Sequence, residues 1–166
     1  MKKMKITIKE LPEMEVAFIR QIGSYFEPQE HWGELIQWAT RNSLFPPQQS
    51  FIGISLDNPD LVESKKCRHD ACVTIPSGFD KKEHKDMRFK KLESGKYAVY
   101  SFYDTADKLK SAYQYMYGEW LPTSNYDADF MRSNLEFNLN NPSDDPKGKC
   151  KVDLYVPVKI KTASSH

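Results

Sequence analysis

The apolar positions of this chain fall into short runs, then a helical stripe, then short runs again, and that order occurs twice. In the first half, strands are predicted over Lys5–Glu10 and Glu15–Gln21, separated by the turn "LPEM". The segment "EPQEHWGELIQWAT" places Trp32, Leu35, Ile36 and Ala39 at helical spacing, and Pro28 suits its first turn. Strands over Phe51–Leu56 and Asp70–Ile75 close this half, with the polar loop "DNPDLVESKKCRH" between them. The second half runs the same way. Strands over Arg88–Leu92 and Lys96–Phe102 flank the turn "LESGK". A helix follows in "TADKLKSAYQYMYGEW", with a stripe of Leu109, Ala112, Tyr113, Met116 and Trp120, and Asp104 or Thr105 placed to cap its start. Strands over Asn134–Leu139 and Lys151–Val156 end it, around the loop "NNPSDDPKGKC".

The halves also match in detail. "ITIKELPEMEVAFI" from Ile6 aligns without a gap to "MRFKKLESGKYAVY" from Met87, pairing Lys9 with Lys90, Leu11 with Leu92 and Ala17 with Ala98. "ACVTIP" and "VDLYVP" end at Pro76 and Pro157, and "FIGISLDNP" resembles "NLEFNLNNP". Four blocks in one order point to internal duplication. The predicted fold is α+β: a duplicated β-β-α-β-β repeat, about 4–80 and 85–160, within one domain spanning 1–166. Its strands are too close in sequence for parallel crossovers, so the sheet is expected to be largely antiparallel, with both helices on one face. Alternation puts Ala71, Val73 and Ile75, and Val152, Leu154 and Val156, on the helix side; Cys72, Thr74, Asp153 and Tyr155 take the other. A pseudo-twofold relation between the halves is expected to build a ligand groove where they meet.

Composition narrows the function classes. A net charge of +1 argues against a strongly basic nucleic-acid surface, and no apolar run is long enough to span a membrane. The basic N-terminus "MKKMKITIKE" lacks an uninterrupted apolar signal core, so a cytoplasmic protein is expected. The three cysteines do not form a disulfide framework. Cys67, His69 and Cys72 are close, but no second ligand pair at zinc-finger spacing follows; no metal and no cofactor is expected. Aromatic residues reach 13%, with nine Tyr, more than core packing obviously requires.

One carboxylate stands out. In "SNLEFNLNNP", Leu135, Phe137 and Leu139 alternate with Asn134, Glu136 and Asn138. The repeat alignment sets Gly53 opposite Glu136, giving room in one half and charge in the other. With Asn138, Ser55 and Tyr155 assigned to the same face, this reads as a ligand constellation. An acid among aromatic rings attracts a flat, apolar cation. The plain alternatives are a solvated strand glutamate and, for Tyr113 and Trp120, helix packing.

"SGKYAVYSF", "LKSAYQYMYGEWLPTSNY", "LEFN" and "VDLYVPV" together resemble the DNA gyrase inhibitor-like (GyrI-like) small-molecule-binding family, over about residues 4–160. The same domain forms the effector-binding half of some AraC- and MerR-type regulators. The resemblance implies a groove between repeats with a central glutamate, here Glu136. It implies a groove tyrosine, here Tyr155, with Trp120 and Tyr126 nearby, and lipophilic, often cationic ligands. The chain departs from the family pattern at Phe102, Asp104 and Asn125, and lacks a proline shortly before Glu136. The first strand begins by Lys5, so a stand-alone domain without a DNA-binding domain is expected.

Three functions follow from this reading. The first is a binding module for lipophilic, possibly cationic, aromatic compounds, using Glu136, Tyr155, Trp120, Tyr113, Tyr126, Asn138 and Gly53 for sequestration or sensing. The second is a hydrolase of reactive cyclopropane-bearing compounds, with Glu136 as general base assisted by Tyr155. The third is an inhibitor that contacts DNA gyrase, by family analogy alone.

Overall fold

A computed structural model of the protein describes residues 5–162. In chain order its strands are β1 (Ile6–Leu11), β2 (Met14–Ile22), β3 (Phe51–Ser55), β4 (Arg68–Thr74), β5 (Arg88–Leu92), β6 (Gly95–Asp104), β7 (Tyr126–Ala128), β8 (Leu135–Asn138) and β9 (Cys150–Ile160). The α-helices are α1 (Glu30–Arg41), α2 (Leu109–Tyr115) and α3 (Leu121–Thr123). The mapped strand pairs are antiparallel, which with few helices is the predicted α+β class.

The chain divides into two compact units. One holds the chain up to Leu11 with Gly95–Asn134 and Asn138 onward; the other holds Pro12–Ser94 with Leu135–Phe137. In the first, β1 pairs with β6, β6 with β9, and β7 with the end of β9. In the second, β5 pairs with β2, β2 with β4, and β4 with β3, beside which lies β8. The order β1-β6-β9 thus corresponds to β5-β2-β4, as a duplication would have it. The leading strands are exchanged, though. β1 completes the unit built from the second half of the sequence, and β5 completes the other. The "LPEM" turn therefore leads from one unit into the other rather than closing a hairpin.

Each unit buries its helix against alternate residues of its strands. In the first unit Ala98, Phe102, Val152, Leu154, Val156 and Val158 pack with Ala112 and Met116, joined by the half-buried Leu109, Tyr113 and Trp120, as the sequence stripe predicts. In the second, Ala17, Ala71, Val73 and Ile75 pack with Leu35 and Ala39 of α1. A fully buried leucine such as Leu35 contributes about 2–3 kcal/mol. Here the predicted stripe is rotated. Ile36 is 43% exposed, whereas His31 is buried and Trp38 packs on the core. Pro28 lies before the N-cap residue Gln29, outside the helix. At the second helix no side chain caps the start at Thr105; Asp104 instead accepts from the Thr105 N–H at 2.7 Å.

The face opposite the helices is also covered. In the first unit Tyr97 and Val99 of β6 and Tyr155 of β9 are at most 6% exposed. The Tyr97 ring lies under the Arg132 guanidinium, 4.7 Å from its centroid. Arg132 is pinned there: it donates to the Lys96 and Val158 carbonyls, each at 3.0 Å, and to Asp129 at 3.1 Å. Gly95 touches this arginine. Its φ is +157°, and a Cβ would sit 2.4 Å from Arg132 Nη1. Gly95→Ala is expected to cost about 1–3 kcal/mol in urea unfolding. Combining it with Arg132→Ala should recover part of that loss in a double-mutant cycle, whereas strict additivity would show that the clash is not the cause.

Candidate functional site

Glu136 sits in the middle of the four-residue strand β8, half-buried, next to Leu135, which is 2% exposed. Alternation sends the two side chains to opposite faces. The strand is short because polar residues bound it: "MRSN" before and "NNPSDD" after. Asn138, also half-buried, ends the strand.

The aromatic residues predicted for the site separate into two groups within the first unit. Tyr113, Trp120 and Tyr126 pack on the helix-side core. Trp120 and Tyr126 stack nearly parallel, ring centroids 6.4 Å apart and planes 13° apart. Between α2 and α3 the helix widens into a π-helical segment, Met116–Trp120, without breaking. Such segments shift the side chains that follow and recur at functional sites. Tyr117, on this segment, donates its hydroxyl to Asn134 Oδ1 at 2.9 Å. Tyr155 is on the other face, with its ring edge-on to Tyr97 at 5.7 Å. Burial holds the Tyr155 phenol above its ordinary pKa, with the Asp153 charge adding to the effect, so it stays protonated at neutral pH. Tyr155 and the Trp120–Tyr126 stack therefore present to opposite faces of one unit. The sequence alone groups all three for ligand binding, Tyr155 in the groove and Trp120 and Tyr126 near it.

Gly53 serves another purpose than ligand room. A Cβ there would meet His69 Nε2 at 3.2 Å and the Trp32 ring at 3.4 Å. Its missing side chain admits α1 and β4 side chains close to β3. By the repeat alignment, the Glu136 side chain corresponds to this helix-side direction. That separates it by face from the Tyr155 equivalent, contrary to the parity argument from sequence.

Two polar clusters of the second unit escaped the sequence reading. Asp70 of β4 is fully buried. Arg20 of β2 donates to both its oxygens, at 2.8 and 3.0 Å, and Lys90 of β5 donates to one of them. Burial alone would raise this carboxyl's pKa; the Arg20 and Lys90 hydrogen bonds and charges more than reverse it, holding it below the ordinary value. The second cluster pairs His31 Nε2 with His69 Nδ1 at 2.7 Å, both rings buried. The only local cue was the run of His69 and Asp70 leading directly into the apolar "ACV" of β4. Cys67 and Cys72 are buried free thiols. Burial pushes the Cys72 thiol up to about 12, and alternation turns it away from His69, so the "CRHDAC" segment does not converge on a common point. Among the described residues no group of three or more His, Cys, Asp or Glu side chains could hold a metal ion.

The GyrI-like small molecule binding domain matches residues 4–159 of the chain. The chain belongs to this family. A relative is the SPbeta prophage-derived protein YosT of Bacillus subtilis (strain 168), 31% identical over 118 residues, which are 70% of this chain and 77% of YosT. Among solved structures, the EcmrR C-terminal domain superposes with a TM-score of 0.71 at 17% identity, covering 95% of this chain and 99% of that domain. The chain spans 58% of the EcmrR chain seen in its DNA complex. The SAV2435 structure with bound tetraphenylphosphonium gives a TM-score of 0.63 at 15% identity, covering 94% of each chain. At these identities the structural likeness shows the fold. No helix among the described residues is long and apolar enough to cross a membrane.

Proposed function

We propose that the protein binds lipophilic, aromatic, cationic small molecules in the cytoplasm, sequestering or sensing them, with Glu136 as the polar anchor. The observation that carries this is a half-buried carboxylate in the middle of a strand whose other face is core. A carboxylate partly removed from water attracts a cation whose own hydration is weak. In the first unit the nearly parallel Trp120 and Tyr126 rings, with Tyr113 beside them in the helix-side core, form an aromatic surface suited to a flat ligand. Family membership supports a small-molecule ligand. The tetraphenylphosphonium held by SAV2435 supports its class. Asn138 is assigned a secondary polar contact at the strand end.

Fluorescence titration of wild type and Glu136→Gln tests the reading. Tetraphenylphosphonium affinity is expected to fall about tenfold or more, and that of the neutral triphenylphosphine oxide less than about twofold. Equal losses for the two ligands would remove the electrostatic basis of the proposal.

A further inference from the structure

The second unit carries a cavity of about 510 Å³ where β5 stops short of the end of β2. Phe18, Ile19 and Arg20 of β2 line it, with Trp38 of α1 and Met87 and Arg88 at the start of β5. The pairing register shows why space opens here. The Glu15 carbonyl accepts from Ile75, and the Gly23 N–H donates to Cys67, so odd-numbered residues of β2 face β4. Even-numbered residues face β5, and the last of them with a partner is Phe18, opposite Arg88. Arg20 and Ile22 continue the strand on the same side, and among the described residues no strand pairs with them there. The turn at Lys85–Asp86 carries the chain out of the row. The result is a short open sheet edge that starts in the cavity at Arg20 and runs out of it at the exposed Ile22.

We propose that this notch receives a short extended peptide bearing an acidic side chain, added as a strand against Arg20 and Ile22. An unpaired strand edge is a template for another chain, and a neighbouring cavity supplies side-chain pockets. Charge selects the peptide. Arg20, Arg88 and Lys90 all lie over the Phe18 ring, at 5.7, 4.8 and 4.6 Å from its centroid. Asp70 answers Arg20 and Lys90. Arg88 is exposed and forms no ion pair within the described residues. A residue opposite Arg20 would point its side chain to this same face, beside Arg88. Glu34, Glu83 and Asp86 also line the cavity, which disfavours a simple anion and favours a ligand whose amide backbone takes the edge. The outer edge of β5 is less suited to addition, because Lys90 and Lys91 follow Arg88 along it.

Amide hydrogen exchange and ¹⁵N chemical shifts, with the acetylated and amidated hexapeptide VTEVTV as probe, test the proposal. In the free protein the Arg20 and Ile22 amides should exchange quickly, and saturating peptide should protect both. Replacing the glutamate of the peptide by lysine should weaken binding at least about fivefold, and Arg88→Glu should reverse that preference. A peptide N-methylated at the glutamate amide should bind more weakly, because in an antiparallel addition the residue opposite Arg20 donates that N–H to the Arg20 carbonyl. The proposal is overturned if the two amides are already protected in the free protein, if millimolar VTEVTV shifts neither, or if sodium acetate shifts both to the same extent. It is also overturned if the lysine and N-methylated peptides bind as well as VTEVTV.

Discussion

Asp70→Ala is expected to remove about 3–5 kcal/mol of folding stability, the usual cost of deleting one partner of a buried charge cluster. The carboxylate is fully buried, while the side chains of its partners Arg20 and Lys90 are 22% and 26% exposed. Its removal strands two part-buried cations beside a third, Arg88, over one phenylalanine ring. Cation–π attraction of about 0.5–2 kcal/mol per cation does not offset their mutual repulsion. The cluster ties β2, β4 and β5 together, so its loss should appear as a cooperative drop in urea midpoint rather than local fraying. Arg20→Met should cost less, because the remaining Lys90 still pairs with Asp70. A loss below about 1 kcal/mol for Asp70→Ala would mean that water reaches the carboxylate and that the cluster contributes little.

Acid should weaken the fold well above the range where carboxylates titrate. Burial, reinforced by the neighbouring His31, lowers His69 from an ordinary 6.5 to about 4. Burial lowers His31 as well. The unfolded chain therefore takes up protons first as pH falls. The stabilisation is fully present above about pH 6.5 and is lost as pH drops towards 4, amounting to about 3 kcal/mol from His69 alone. Asp70 loses its contribution only below the ordinary carboxylate range, which separates the two effects. Urea unfolding at pH 7, 5.5 and 4.5 should show stability falling across this interval in wild type and a flatter profile in His69→Gln. The same slope in both proteins would show that the histidine pair is not the origin.

The sequence carried the architecture well, because burial on alternate strand positions and on one helix stripe is a local pattern. β5 begins and ends where the alternation says, and the second helix buries the predicted Ala112 and Met116. The exchange of β1 and β5 was not legible, since period-two alternation says which face a residue takes and nothing about which strand lies beside it. Parity failed on Gly53 for a related reason. Its face is fixed by its register with Ala71, on the helix side, and the repeat alignment gave the equivalence without the face. The buried Asp70 and the His31–His69 pair were not legible, because His69 sits in what reads as a polar loop, Asp70 opens the strand after it, and burial of a polar group depends on distant partners. Arg20 lies 50 residues from Asp70, and His31 lies 38 from His69.

A crystal structure of the protein with tetraphenylphosphonium should show the cation at Glu136. The phosphonium is expected within about 6 Å of the Glu136 carboxylate, where ion attraction persists in a partly dry site. A ligand bound away from Glu136, or no bound ligand at saturating concentration, would contradict it.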